Sequence, residues 1–361
     1  MTRVFVVNAG SSSLKYEVVD AEAGSEVTSG LVERVTDYAA AMADVLAELD
    51  AESIDAVGHR IVHGGSVFVD ATLIDDAVEE QIDRLAVLAP LHNPPGLLGI
   101  RAARAALPFI PHVAVFDTAF HATLAPEAYT YALDAGVAAE HGIRRFGFHG
   151  TSYRYVSATA AEMLGNPDAR MVVLHLGNGA SAAAIAGGRS VDTSMGMTPL
   201  EGLVMGTRSG DIDPAVLLHL QRIGAFDAAG LDELLNRRSG LLGLGGHSDM
   251  RDLLADPSPA AKLAADVYVH RLKRYIGAYA AELGGLDALV FTAGVGENSA
   301  VIRERAVDGL GFLGLELDPA INETRSAEPR VISRGAVPVL VVPTNEELQI
   351  ARETVGVLRG E

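Results

Sequence analysis

One pattern, written twice, constrains this chain more than any other. Val4 to Val7 are apolar, Gly10 to Ser13 interrupt them, and Leu14 to Val19 resume with partial alternation, which predicts a β-hairpin carrying a polar turn. At Met171 the pattern returns. The apolar run Met171 to Leu176 meets Gly177-Asn178-Gly179-Ala180-Ser181, and Gly187-Gly188 make a second turn before Ser190-Val191-Asp192. Aligning Gly10 with Gly179 places Ser12 over Ser181. Two hairpins bearing similar loops, one per half, predict an internally duplicated fold with a cleft between the halves. The length of 361 residues agrees, since single cores stop growing well below it.

Between the hairpins, strand and helix patterns alternate, which favours an α/β architecture. Thr36/Asp37 can cap a helix with Met42, Val45, Leu46 and Leu49 on one face, and Asp75/Asp76 can start another with Val78, Ile82, Leu85 and Leu88. The longest helix candidate runs from Pro259 to Leu283 and stops at Gly284-Gly285. A third loop, Ala293-Gly294-Val295-Gly296-Glu297-Asn298, is expected to join a strand at Leu289 to Phe291 to a helix beginning near Ala300, where free amides suit an anion.

Composition removes several function classes. With no cysteine, thiolate metal sites, Fe–S clusters and cysteine nucleophiles are excluded. A formal charge of −19 repels nucleic acid and anionic membrane, so neither is expected as a partner. An anionic small substrate must then be held by local cations, and only three lysines, Lys15, Lys262 and Lys273, accompany the arginines. The longest apolar stretches, such as Val337 to Val342, are broken by Pro or Gly far short of the ~20 residues that span a bilayer. Only four apolar residues follow Met1-Thr2-Arg3 before Asn8, too few for a signal-peptide core, so a cytoplasmic location is expected.

Each chemical motif has a plain alternative. Asn8 to Lys15 reads as a phosphate cradle, with glycine for close approach and hydroxyls and amides as donors, or as an ordinary polar turn. Ser12-Ser13-Leu14-Lys15 also spells S-x-x-K, but none of the three lysines opens the partner motif K-T-G. Gly177 to Ala182 matches G-x-G-x-x-A, yet Gly187-Gly188 end the next segment too early for a crossover helix, so a hairpin is expected there. His59 and His63 have zinc-like spacing, but four residues along a strand put them ~13 Å apart, too far for one ion. Arg60 between them needs an anionic partner, either a substrate or an internal carboxylate. Asp117 ends the apolar run Val113 to Phe116, where α/β enzymes place reactive groups and where a capping Asp is equally at home. Arg144, Arg145 and His149 cluster around Gly147 and Gly150, and Arg208 lies in Gly206-Thr207-Arg208-Ser209-Gly210-Asp211. Those cations face a ligand or are solvated loop charges.

Taken together, the segments resemble the acetate kinases. The resemblance is carried in order by Val7 to Lys15, Gly58 to Gly65, Phe116 to His121, Phe146 to Ser152, His175 to Gly179, Asp192 to Pro214, Asp249-Met250-Arg251, Gly294 to Asn298 and Pro343 to Glu347. It implies two duplicated actin-like (RNase H-like), sugar-kinase-like ATPase domains, a central cleft holding the active site, and a homodimer. The domains would be residues 1–121, completed by a C-terminal helix 348–361, and residues 122–347, which bind nucleotide. The implied reaction is Mg-dependent transfer between ATP and acetate, giving acetyl phosphate and ADP, with manganese as a substitute for magnesium. By the same resemblance Asn8 and Glu346 are the magnesium-associated pair. Asp117 is the catalytic carboxylate, and His149 and Arg208 stabilise the transition state. Arg60 contacts substrate, while Val62, Leu91, Phe148 and Pro199 line an apolar pocket with His92 nearby. Nucleotide contacts fall on Ser12, Lys15, His175, Leu176, Gly177, Asn178 and Gly179, on Asp249, Met250 and Arg251, and on Gly294, Val295, Gly296, Glu297 and Asn298.

The chemistry agrees with that assignment on its own terms. A carboxylate acceptor is already ionised at pH 7 and needs no general base, so Asp117 is read as positioning magnesium or its waters. What the reaction needs is neutralisation of an anion approaching a polyanion. The sequence departs from the family pattern at Tyr153, where a histidine is common, at Ser66, at Pro95-Gly96, and in a shortened interval between Lys15 and Arg60. Propionate or butyrate kinase, a pyrophosphate-dependent acetate kinase, and a non-enzymatic actin-like nucleotide switch are the rival readings, the last opposed by Arg60 and Arg208.

Overall fold

The computed structural model describes residues 2–10, 12–49, 51–90 and 92–361. It divides into two units, one of Met1–Ala122, Phe148–Tyr155 and Asn345–Glu361, the other of Thr123–Gly147 and Val156–Thr344.

The first unit is built on a six-stranded sheet of β1 (Arg3–Ala9), β2 (Ser13–Asp20), β3 (Ser25–Glu33), β4 (Ala56–Ile61), β5 (Thr72–Leu73) and β6 (His112–Phe116), in the order β3-β2-β1-β4-β6-β5. The run β3-β2-β1 is antiparallel, β1, β4 and β6 are parallel, and β5 returns antiparallel to β6. Alternate residues of each strand face opposite layers. Phe5, Val7, Leu14 and Val18 pack with Met42, Val45 and Ala103 of the helices Tyr38–Glu48 and Asn93–Ala106. Val4, Val6, Val19, Val113 and Val115 pack with Leu348, Ile350, Ala351 and Val355 of the C-terminal helix Glu346–Arg359. Cover on both faces is why these strands read as continuous apolar runs. At Gly58 a Cβ would lie 2.6 Å from Thr354 Oγ1 and 2.8 Å from Ile350 Cγ2, so glycine lets the C-terminal helix close on β4.

The second unit repeats the plan with β7 (Arg170–Leu176), β8 (Ala180–Ala186), β9 (Arg189–Thr193), β10 (Ala288–Thr292), β11 (Arg330–Val331) and β12 (Val339–Val341), in the order β9-β8-β7-β10-β12-β11. Every pairing has the sense of its counterpart in the first sheet. This is the duplicated α/β plan that the repeated hairpin predicts, in keeping with the actin-like fold that the resemblance implies, and the G-x-G-x-x-A segment is a hairpin turn.

Two local expectations are corrected. The last ladder pairs are Ala9 with Leu14 and Leu176 with Ala180, so the two turns differ in length and Gly10 corresponds to Gly177, not Gly179. Ser181 lies within β8 opposite His175, whereas Ser12 is in a turn. The segment Ala293–Asn298 is not a loop but a short helix, followed by a second, Ala300–Val307. The expected caps at Asp37 and Asp75 are present, and the long helix Pro259–Glu282 ends before Gly284 at φ +65°. Among the described residues no helix is long and apolar enough to cross a membrane.

Candidate active site

In the first unit the parallel strands deliver charged groups at their carboxyl ends, where side chains leave the sheet. Asn8 is the penultimate residue of β1, opposite Lys15; Arg60 is the penultimate residue of β4; Asp117 follows β6 directly. Arg60 binds Asp117 through both oxygens, Nε to Oδ1 at 3.1 Å and Nη2 to Oδ2 at 2.7 Å, while Thr151 Oγ1 donates to Oδ1 at 3.3 Å. Such a bidentate pair fixes the plane of the guanidinium. Glu346, the first residue of the C-terminal helix, brings Oε2 to 3.8 Å from Arg60 Nε, and Asn345 caps that helix by accepting from Leu348 N at 2.9 Å. Burial raises the Glu346 carboxyl above the usual range, against Arg60, with Asp117 and Glu347 adding to the rise. Burial also opposes the charge on Arg60, but Asp117, Glu346 and Glu347 prevail and hold its pKa above normal. Lys15 is paired with Glu347, not left over the turn.

The backbone around these groups is tightly specified. Asp117 N donates to Ile61 O and Asp117 O accepts from Gly150 N, each at 2.9 Å, and a Cβ on Gly150 would collide with that carbonyl. His149 just before it has φ +59°, a strained value for a non-glycine residue of the kind that clusters at functional sites. Phe148 is buried with its ring 5.5 Å from that of His63, and its carbonyl lies 2.9 Å from His121 Nε2. Val62 is half-buried and His92 exposed at the start of the helix Asn93–Ala106; Leu91 lies outside the described residues. His59 of β4 is 3.0 Å from His112 of β6, both are buried, and burial lowers the pKa of each, which fits a structural role.

In the second unit a pocket of about 700 Å³ brings together Gly177, Asn178, Asp249, Met250, Arg251, Gly294, Val295 and Asn298 from three separate motifs. Gly206, Leu241, Ser248, Leu254, Tyr268, Ser299 and Arg325 complete its wall. Gly206 lay inside a motif already singled out, but Leu254 and Tyr268 come from apolar helix faces that give no signal of a site. Seven predicted contacts, Lys15 among them, do not line it. His175 and Leu176 stay in β7, and Gly179 O accepts from Gly177 N at 3.1 Å. Gly296 O accepts from Arg303 Nη1 at 2.9 Å, and Glu297 Oε1 accepts from Ala293 N at 2.8 Å and Thr344 N at 3.2 Å. Ser12 belongs to the first unit, and its carbonyl accepts from Val35 N at 2.9 Å. Asp249 is held down to about 2 by the hydrogen bonds from Arg251.

Arg208 is the exception among the site cations. It is half-buried, its Nη1 donates to Pro199 O at 2.5 Å, and it forms no ion pair with a carboxylate among the described residues. Burial alone lowers its pKa.

Residues 35–352 match the model of the Acetokinase family. The chain is 57% identical to an acetate kinase of Leifsonia xyli over 98% of both chains. The chain belongs to the acetokinase family. Among solved structures it is similar to the acetate kinase of Porphyromonas gingivalis, at 42% identity and a TM-score of 0.94, over 99% of this chain and 100% of the other. A propionate kinase of Francisella tularensis is 39% identical with a TM-score of 0.93, again over 99% of this chain and 100% of that one. In this acetokinase-family chain the departure at Tyr153 is absorbed by packing. Its ring is fully buried, stacked 6.3 Å from Phe120 and edge-on 5.5 Å from His121, so it props the segment after Asp117.

Proposed function

We propose that this protein catalyses reversible, direct in-line phosphoryl transfer between ATP and acetate, giving ADP and acetyl phosphate. The observation that carries the reading is Arg208, a half-buried guanidinium bound to one carbonyl and to no carboxylate among the described residues. A charge drawn partly out of water without a counter-charge is disfavoured, and an anionic substrate would offset that. Arg60 differs, because Asp117 and Glu346 already neutralise and orient it. The full-length likeness to acetate kinases supports the same reaction.

The acetate carboxylate, ionised at neutral pH, uses one oxygen to attack the γ-phosphorus; that O–P bond forms as the bond to the β–γ bridging oxygen breaks and ADP leaves. No proton need be removed. Arg208 and His149 balance charge on the transferring group, Arg60 aligns the acceptor, and Val62, Leu91, Phe148 and Pro199 meet its methyl. The pocket lined by Gly177, Asn178, Asp249 to Arg251, Gly294, Val295 and Asn298 takes the nucleotide; Ser12 and Lys15 remain candidate phosphate contacts. Its volume favours a nucleotide over pyrophosphate as donor.

Magnesium takes oxygen ligands and is held by one or two side chains together with the phosphates, which fits the amide and carboxylate oxygens of Asn8 and Glu346. Asn8 and Glu346 would hold it, with Asp117 orienting its waters, and the ion would supply charge neutralisation at the phosphates. Manganese is the expected substitute. The likeness to a propionate kinase makes propionate a second acceptor, since one methylene is worth only ~1 to 3 kcal/mol. We also place the chain in a homodimer. Support comes from the helix Pro214–Arg222, which buries none of its residues and exposes Val216 and Leu218.

The test is an ATP-dependent assay over acetate, propionate, butyrate and a sugar, with Arg60→Ala and Arg208→Ala alongside. Acetate turnover that falls ~10²- to 10³-fold in each variant is expected. Turnover of the sugar alone, or parental acetate activity in both variants, would sink the proposal.

A further inference from the structure

Arg208 sits on a segment whose two ends are tied down in the same way. At one end Glu201 accepts from Arg145 Nη2 at 2.8 Å and from the hydroxyl of Tyr131. At the other, Asp211 accepts from Tyr275 Oη at 3.0 and 3.1 Å and lies 3.2 Å from Arg271 Nη1. Each end is thus an arginine–carboxylate–tyrosine triad.

Both triads also grip backbone. Arg145 Nη1 donates to the carbonyls of Thr193 at 2.9 Å and Met195 at 3.0 Å, and Tyr131 Oη accepts from Met197 N at 3.1 Å. These bonds hold the strand of chain that carries Pro199, whose carbonyl receives Arg208. Asp211 Oδ1 accepts from Gly202 N at 2.8 Å, Asp211 N returns a bond to Gly202 O at 3.0 Å, and Arg271 Nη1 donates to the same carbonyl at 2.7 Å. The loop is thereby closed at its neck, with Gly202 at φ +106°, a value only glycine adopts without strain. Inside it, Met205 N donates to Arg208 O at 3.1 Å. None of the six triad residues lines the 700 Å³ pocket. Burial, reinforced by Glu201 and Asp211 respectively, raises the pKa of Tyr131 and Tyr275, so both remain hydrogen-bond donors throughout the physiological range.

We propose that Tyr131–Glu201–Arg145 and Tyr275–Asp211–Arg271 are positioning residues that fix the place of the Arg208 guanidinium, and that they set turnover while leaving nucleotide affinity alone. The inference rests on the role given to Arg208 above. A cation that stabilises a transition state must be preorganised, and misplacement by about 1 Å can cost ~10²-fold in rate. Among the described residues Arg208 has no carboxylate of its own to aim it, so its aim comes from the Pro199 carbonyl and the loop frame.

The experiment measures kcat, KM and ADP-induced thermal stabilisation for Tyr131→Phe and Tyr275→Phe, in the parent and in Arg208→Ala. Each Phe variant keeps the ring and removes the hydroxyl. A fall in kcat of about tenfold in each is expected, with the ADP-induced shift unchanged and no further fall when either is added to Arg208→Ala. A merely structural role would lower the melting temperature without that coupling to Arg208. Two outcomes overturn the inference: kcat within about twofold of the parent in both Phe variants, or the same tenfold loss persisting in the Arg208→Ala background. An Arg208→Ala enzyme with parental kcat would instead bring down the role of Arg208 itself.

Discussion

At Arg60 both oxygens of Asp117 are engaged and Glu346 stands 3.8 Å away, so one guanidinium balances two carboxylates at the ends of β4, β6 and the C-terminal helix. Replacing it by methionine keeps the volume and leaves Asp117 and Glu346 without their cation. Loss of one partner from a buried pair costs ~3 to 5 kcal/mol. Arg60→Met is expected to lower stability by about that much at pH 7.5. The deficit should shrink toward pH 5, because burial already holds the Glu346 carboxyl above its usual range, and once protonated it no longer needs the missing cation. Urea unfolding at the two pH values checks this; an equal deficit at both would contradict it. The sequence marked Arg60 as needing an anion and left open whether that anion was substrate or protein. Spacing along the chain cannot answer that, since Asp117 and Glu346 meet Arg60 only through sheet order and the docking of the last helix.

At the level of elements, the start of the C-terminal helix and β2 share one acidic cluster. Burial, with Glu347 and Glu26 nearby, pushes Glu17 up to about 7, with Lys15 pulling the other way. A carboxyl whose folded pKa lies above its unfolded 4.5 contributes fully below pH 4.5 and loses that contribution as pH rises through about 7. Glu17→Gln should therefore melt higher than the parent at pH 8 and match it near pH 4. A variant that gains nothing at pH 8 would contradict the raised pKa. The hairpins, both Asp caps and the long helix Pro259–Glu282 were legible because caps, glycine stops and periodicity are local. The helix Ala293–Asn298 was not, because its glycines have poor helix propensity. It is held from within by Glu297 accepting from Ala293 N, and from outside by Arg303 donating to Gly296 O and Glu297 O.

Over the whole molecule, the proposed homodimer has its own test. The helix Pro214–Arg222 leaves Val216 41%, Leu218 50% and the following Ile223 60% exposed, an apolar face of the kind that a second copy would cover. Leu218→Glu is expected to shift light-scattering mass from two chains to one with little change in the melting of the single chain, since Leu218 packs on little of its own fold. A parent with the mass of one chain, or a variant that stays paired, would contradict the dimer. The duplication belongs to the sequence: a strand, a glycine turn and a returning strand recur because the two sheets are the same solution, and short-range patterning suffices to write it. So do the motifs that line the pocket of about 700 Å³, where glycine and an N-capping Asp have local backbone reasons to be. The tertiary structure alone decided the true register of the two turns, the addition of Leu254 and Tyr268 to the pocket wall, and the contrast between a neutralised Arg60 and an Arg208 bound only to a carbonyl. Those depend on partners far apart along the chain. Burial and counter-charge are properties of the space around a residue, and that space exists only once the layers have packed.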